Sequence, residues 1–451
     1  MPNENLGVKD RFVGAVLAGD ARTVFRVGIT PVLSSVQRAY VVMMLVLLAT
    51  LNGMDRMILS VLLIPIQRDL SISDAGMGML TGGGFAIVYA TAAIPFARYA
   101  DIGNRRNLVG ISLACWSAAA MLCGAATGYF SLMAARLGIA ASESSFNPAA
   151  LSMAADLSRA HRRATTVGIV MLGSGLGTLI GSALGGAANA AYGWRAAMMI
   201  VGAPGLLVAA IFLLTVPEPA RTDLTAAEKI GQTENFGDTI RFFLRVPTFT
   251  ALCVAFSLYN MAAIGCITWM PSFLIRTHHL DGATMGLWFG ITIGLGGIIG
   301  NIGGGVLTDR LSRGGGARWY MLVPAISAFV QIPIALTLIF TGSSDIALLT
   351  MFLFSVVGYF CNASALTAGI QIVRPRMRAL ISAALFFCTT VIGLGVGPVL
   401  VGALSDHLTP SLGQAALSRA FLVVPVLHFF SGLMFFKGSR TIEADVRRAS
   451  T

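Results

Sequence analysis

Ala97-Arg98-Tyr99-Ala100-Asp101, trailed by Arg105-Arg106, and Gly305-Val306-Leu307-Thr308-Asp309-Arg310, trailed by Arg313, read as one turn written twice. Their aspartates lie 208 residues apart. In each, a small residue lets neighbouring helices approach, and the aspartate four positions on can cap the next helix or pair with an arginine. Either contact could break as one part of the molecule rocks against another. A single charged turn carries little weight. Two at corresponding places in an apolar chain imply a repeated unit, and such repeats enclose a site near the membrane midplane.

Outward from these turns, runs long enough to cross a hydrocarbon core of about 30 Å recur along the chain. They fall at 39–65, 77–99, 107–127, 130–155, 165–190, 195–216, 247–274, 284–307, 319–340, 345–372, 380–404 and 418–436. That is twelve predicted helices, and the paired turns follow the second and the eighth. The sizeable polar break, 217–246, opens Pro217-Glu218-Pro219 and carries Arg221, Asp223, Glu228, Lys229, Glu234, Asp238 and Arg241. The chain thus divides into an arm (1–38), a six-helix half (39–216), a linker (217–246), a second half (247–437) and a tail (438–451). Composition agrees: 56% of residues are hydrophobic and 11% charged, against about 25% charged in an average soluble domain. The fold class is an all-α polytopic membrane protein.

The net charge of +11 would suggest nucleic acid in a soluble protein, so its placement matters. With both ends in the cytoplasm, only Arg68, Arg195, Arg276 and Arg419 fall on the far side, Arg56 and Arg136 lie within helices, and the remaining 25 of 31 basic residues are cytoplasmic. That is the positive-inside pattern, and it makes the basic balance topological. Nucleic acid is not an expected partner. Cys115, Cys123, Cys253, Cys266, Cys361 and Cys388 all sit in apolar runs without CxxC spacing, and the five histidines include no HExxH, so neither metal nor disulfide framework is indicated. The first long apolar run begins near Ala39 without a small-residue cleavage site, so the arm is not a secretory signal. Short connections leave no room for a soluble catalytic domain, and no enzyme is expected.

Few charges lie where none should be. Of the acids, Asp55 and Glu143 fall well inside apolar runs; of the bases, Arg56 and Arg136 do. Each costs about 2.5–3.5 kcal/mol at that depth, and such residues mark transport paths and proton relays. Asn52, Asp55 and Arg56 share one face of the first helix by their spacing, and Arg136 and Glu143 sit two turns apart on one face of the fourth. A carboxylate beside an arginine keeps its charge; one that loses the arginine to a substrate takes up a proton more readily. Asp55 is the first candidate for coupling and Glu143 the second. Static ion pairing between the two helices is the plainer reading. The second half offers only polar residues, among them Tyr259, Asn260, Asn301, Gln331, Asn362, Gln371 and His428, amid aliphatics and phenylalanines. Such an asymmetric lining suits an amphiphile, although each polar residue also serves as an ordinary interhelical hydrogen bonder.

The layout resembles the major facilitator superfamily over essentially the whole chain, and the paired turns look like its signature loops. Ala97 stands where that family has glycine, and Ile102 follows Asp101 where arginine is usual; Gly305, Asp309 and Arg310 are closer to the pattern. Gly173, Gly175, Gly177, Gly181, Gly185 and Gly186 resemble the glycine-rich fifth helix of its exporters. Asn52-x-x-Asp55-Arg56, Arg136 with Glu143, Ala155-Asp156-Leu157, Trp194-Arg195, Pro204-Gly205-Leu206 and Trp269-Met270-Pro271-Ser272-Phe273-Leu274 look like the Spinster branch, though the fourth helix departs around Asn147-Pro148. Members of that branch export sphingosine-1-phosphate or lysophospholipids, some with proton coupling.

The resemblance therefore implies Asp55 and Glu143 as protonatable residues and Arg56 and Arg136 as headgroup ligands. Asn52, Tyr259, Asn260 and Asn362 join them as expected substrate contacts, and Asp101, Arg105, Asp309 and Arg310 as gating residues. The expected activity is alternating-access export of a lysolipid-like amphiphile driven by a proton gradient, with no cofactor. The alternative is a multidrug or organic-anion efflux transporter of the same superfamily. A passive channel would need neither the repeat nor the paired acids. A monomer is expected. Short loops, missing disulfides and a lone sequon at the buried Asn362 favour a bacterial inner membrane, with both termini cytoplasmic.

Overall fold

A computed structural model describes residues 34–158, 163–219, 246–373 and 378–450. Most of the predicted arm (1–38) and nearly all of the predicted linker (217–246) lie outside the described residues. Every regular element within them is helical. The first half comprises α1 (Ser35–Val61), α2 (Gly84–Ile102), α3 (Arg105–Gly124), α4 (Tyr129–Glu143), α5 (Phe146–Asp156) and the long α6 (Arg163–Thr215). The second comprises α7 (Pro247–His278), α8 (Gly282–Gly315), α9 (Trp319–Phe340), α10 (Ser344–Gln371), α11 (Arg378–Cys388), α12 (Gly395–Leu412) and α13 (Val423–Ser439), followed by α14 (Ile442–Ser450).

Sequence explains the element ends. Ser34 and Gln37 form a reciprocal capping box that starts α1. Asp281 accepts from the Ala283 and Thr284 amides to start α8, and the Thr284 side chain, with these amides, holds its carboxyl below the usual carboxylate range. Nine stretches among the described residues are long and apolar enough to cross a membrane. Two are too long for one crossing at 1.5 Å per residue. Thr165–Thr215 (51 residues) turns at Gly193, whose φ of 79° needs glycine, and Ile381–Ser439 (59 residues) turns at Gly413 with φ 55°. With α4 and α5 as one further crossing, the arrangement is consistent with the twelve expected. Phe130, Leu214 and Ile302 stand largely exposed, as suits side chains that face hydrocarbon.

Two expected boundaries change. The fourth crossing is not continuous over 130–155 but breaks at Ser144-Ser145, directly after Glu143. Ser142, Ser144 and Ser145 each turn their hydroxyls back onto carbonyls of the preceding turn. Pro148 can give no amide hydrogen to the Ser144 carbonyl. The eighth helix runs past 307 to Gly315, because nothing breaks it before Gly316, where φ reaches 79°.

The halves meet along two seams. In one, the first half of α6 lies against α8. In the other, the π-helical turn Met79–Gly83, between the short helix Asp74–Gly78 and α2, lies against α12. There a side-chain carbon at Gly82 would sit 2.5 Å from the Leu394 carbonyl oxygen, and one at Gly78 2.6 Å from that of Pro398. A second π-helical turn, Thr389–Leu394, joins α11 to α12 at the same level. Such turns open the backbone ladder and recur at functional sites.

Candidate functional site

Between the halves lies a cavity of about 290 Å³. Arg56 and Arg136 line it from the first half, together with Ser60, Thr81, Phe85 and Tyr89; Asn260, Thr268, Tyr359 and Thr390 line it from the second. Each arginine rests on an aromatic ring. The Arg56 guanidinium stands 5.0 Å from the Tyr89 ring centre and that of Arg136 4.7 Å from Phe85, distances at which the ring face attracts a cation. Phe85 and Tyr89 stack on each other at 5.8 Å, one turn apart on α2. The rings fix two cations at the cavity wall without neutralising them.

Behind that wall lie the acids. Glu143 is fully buried and accepts from Arg56 Nε at 3.2 Å, whereas 31% of the Arg56 side chain is exposed. The ion pair therefore runs between helices, α1 to α4, while Arg136, two turns from Glu143 on the same helix, makes no ion pair with it among the described residues. Arg136 is 3% exposed and makes no ion pair or hydrogen bond among the described residues. Asp55 and Asn52 are also buried, at 4% each. The Asn52 amide lies toward Glu143 and the Trp116 indole toward Asp55, neither close enough for a formed hydrogen bond. Asn52 Nδ2, Asp55 Oδ1, Arg56 Nη2, Arg136 Nε and Glu143 Oε1 are all without a hydrogen-bond partner in this cluster. Buried polar atoms are ordinarily satisfied, so this many in one place sets the cluster apart from the surrounding packing.

The expected second-half contacts separate. Asn260 faces the arginine cavity, with its amide donating to the Phe256 carbonyl. Tyr259 and Asn362 instead line an adjoining recess of about 220 Å³, where the Tyr259 hydroxyl engages Ser327 and the Gly358 carbonyl at 2.9 Å each. His428 is buried, with Nδ1 donating to the Val424 carbonyl, as packing would have it.

The expected gating residues are also placed differently. Asp101 belongs to the last turn of α2, and Asn104, not Asp101, caps α3 by accepting from the Asn107 amide. Arg105 is buried and joins Asp156 on α5 at 2.5 Å, Glu218 beyond α6 at 2.9 Å, Ser152 and the Pro219 carbonyl. It ties α3 to two other elements of its own half. Asp309 and Arg310 are exposed on the last turns of α8.

The contact that spans the halves lies at the opposite end and was not foreseen. Arg276, in the last turn of α7, grips both oxygens of Asp74 at 2.8 and 2.9 Å and the Gln67 side chain at 2.7 Å. Gln67 donates to Asp74 at 2.6 Å, as does Ser405 of α12. Asp406 accepts from the Asp74 and Ala75 amides. Arg276, Ser405 and Asp406 of the second half thus close on Gln67 and Asp74 of the first. The available signal was scarcity: four basic residues on that side of the membrane, one of them Arg276. The two halves are closed against each other at this end.

Comparison with known proteins follows the same lines. A model of the Major Facilitator Superfamily matches residues 45–398. An MFS-type efflux pump of Mycolicibacterium smegmatis is 31% identical over 89% of this chain and 92% of its own. A sphingosine-1-phosphate transporter of Danio rerio is 27% identical over 85% of this chain and 81% of its own. The crystal structure of a bacterial homologue of the human lysosomal transporter Spinster, inward-facing and unoccupied, superposes with a TM-score of 0.82 at 27% identity, covering 91% of this chain and 99% of that one.

Proposed function

This chain belongs to the Major Facilitator Superfamily, and from that premise we propose that it is a proton-coupled exporter of an anionic, lysolipid-like amphiphile. It is an integral membrane transporter with Spinster homologues among its relatives. The observation that carries the finer reading is the exchangeable pair at the cavity wall. Arg136 lies over the Phe85 ring and forms no ion pair among the described residues, and Arg56 is bridged to the buried Glu143 while still reaching the cavity. An anionic head that docks on Arg136 can draw Arg56 off Glu143. A buried carboxylate without its partner costs several kcal/mol, and a proton from the cavity removes that cost. Asp55, buried beside the same pair with Oδ1 unpartnered, is the proton site whose neutralisation lets the halves close around the load. Asn260, Thr268 and Thr390 face the head from the second half.

The basic balance of the loops supports cytoplasmic termini, so the linker end opens to the cytoplasm. The clamp of Arg276 on Asp74 would then be the outer gate, broken when the halves rock. A second reading, general efflux, draws on the mycobacterial pump. One variant separates them. With Arg136→Ala, uptake of an anionic lysolipid into proteoliposomes should fall at least tenfold while export of cationic dyes persists. If dye export fails equally and no lysolipid binds, the lipid reading is wrong.

A further inference from the structure

The cavity at the arginines is about 290 Å³, at the floor of the range of roughly 300–1,000 Å³ that small-ligand pockets occupy, so it holds a head group. Its wall carries one sign of charge. Arg56 and Arg136 line it, whereas Asp55 and Glu143 stand behind the wall, and no carboxylate among the described residues faces the space. An ammonium drawn into the cavity would meet two guanidiniums and no counter-charge. Nor does the first half offer it an aromatic cage, because Phe85 and Tyr89 already carry those guanidiniums.

Beside the arginines, hydrogen-bonding groups stand uncommitted. Thr81 and Thr389, also in the wall, fold their hydroxyls back onto carbonyls of the preceding turn, the common resort of such residues within a helix. Ser60 of α1, Thr268 of α7 and Thr390 of the second π-helical turn do not. They are 6%, 6% and 7% exposed, they line the cavity, and they make no hydrogen bond among the described residues. Asn260 commits its amide nitrogen to the Phe256 carbonyl and keeps Oδ1 as an acceptor. That oxygen narrows the ligand. A phosphate or carboxylate oxygen only accepts, and Asn260 Oδ1 needs a donor. With ammonium excluded by charge, the donor is uncharged. A hydroxyl matches best, because Ser60, Thr268 and Thr390 meet it as donors or acceptors alike.

We infer that the cavity selects an anionic head that also carries hydroxyls: the anion seats on Arg56 and Arg136, the hydroxyls turn to Ser60, Asn260, Thr268 and Thr390, and heads bearing an ammonium are refused. This rests on the amphiphile reading above and names the chemistry of its head, a phosphate esterified to a polyol. The same chemistry exists on a lysolipid and in a free polyol phosphodiester, and the hydrocarbon chain distinguishes the two.

The test compares three lysolipids with one 18-carbon chain that differ only in the alcohol on the phosphate: lysophosphatidylglycerol, lysophosphatidylethanol and lysophosphatidylethanolamine. In proteoliposomes the wild type should take up the glycerol form at least fivefold faster than the ethyl form, because a site built around a hydroxyl discriminates strongly against its absence. The ethanolamine form should be the slowest. Equilibrium binding in detergent, which needs no transport, should rank them alike, and this wild-type ranking decides without any variant. Thr268→Val with Thr390→Val keeps shape, removes two hydroxyls and should cut the glycerol-to-ethyl ratio at least threefold, whereas Thr268→Ser with Thr390→Ser should keep it. Equal handling of the glycerol and ethyl forms, an ethanolamine form as fast as the glycerol form, or a ratio unmoved by the valine pair overturns the inference and leaves the amphiphile reading standing. Free glycerophosphoglycerol bound as tightly as the lysolipid rejects the amphiphile reading and keeps the head assignment. If the wild type binds none of these compounds, both fall.

Discussion

Glu143 is a buried acid held by one arginine from another helix, and its energetics are those of an uncompensated charge waiting to happen. Removing the partner of a buried ion pair costs about 3–5 kcal/mol, and the lower end applies because Arg56 is partly exposed. Arg56→Ala should therefore lower the melting temperature in detergent, and adding Glu143→Gln should recover most of the loss. A double variant no better than the single one would mean that the pair carries no such strain. These four charges were legible in the sequence because charge is rare in apolar runs. Ion pairing between the first and fourth helices was foreseen as the plainer reading, but not which arginine meets which acid, because helical periodicity sorts residues onto faces of their own helix and is silent about which neighbour those faces meet. Phe85 and Tyr89 were also missed: aromatic residues are common in membrane helices, and only the fold reveals which ones carry a cation.

At the scale of elements, the proposed gate is the clamp of Arg276 on Asp74. Arg276→Ala removes the charge that bridges Asp74, Gln67 and, through Asp74, Ser405. It should shift the population toward opening at that end, read as a longer distance between spin labels at Ser71, just before the short helix Asp74–Gly78, and at Leu412, the end of α12. An unchanged distance would show that the helix seams alone hold that end shut. A neighbouring strap follows pH. Arg195, with the Trp194 indole donating at 3.0 Å, holds the Asp69 carboxyl below the usual carboxylate range. A lowered group stabilises the fold above its unfolded value near 4 and loses that contribution as pH falls through the folded value. Protection against hydrogen exchange around Trp194, taken relative to the intrinsic rate at each pH, should thus fall in acid below about pH 4 in the wild type, whereas Asp69→Asn should show the lower protection at every pH. The all-helical, membrane-crossing character was readable from hydropathy. The break after Glu143 and the extension of α8 turned on serine back-bonding, Pro148 and the position of the next glycine, which a hydropathy window smooths away.

For the whole molecule, transport of an anion past the two arginines at the cavity wall is proposed to depend on protonation of the acids behind them. The paired turns correctly pointed to repeated halves, yet the residues that join those halves lie at the other end. Uptake of 18-carbon lysophosphatidic acid into proteoliposomes, with and without an imposed pH gradient, for wild type and Asp55→Asn, tests the central claim most directly. Coupled export predicts uptake at least tenfold faster with the gradient in the wild type and no response to it in Asp55→Asn. Equal rates with the gradient collapsed, or a full gradient response in Asp55→Asn, would contradict it.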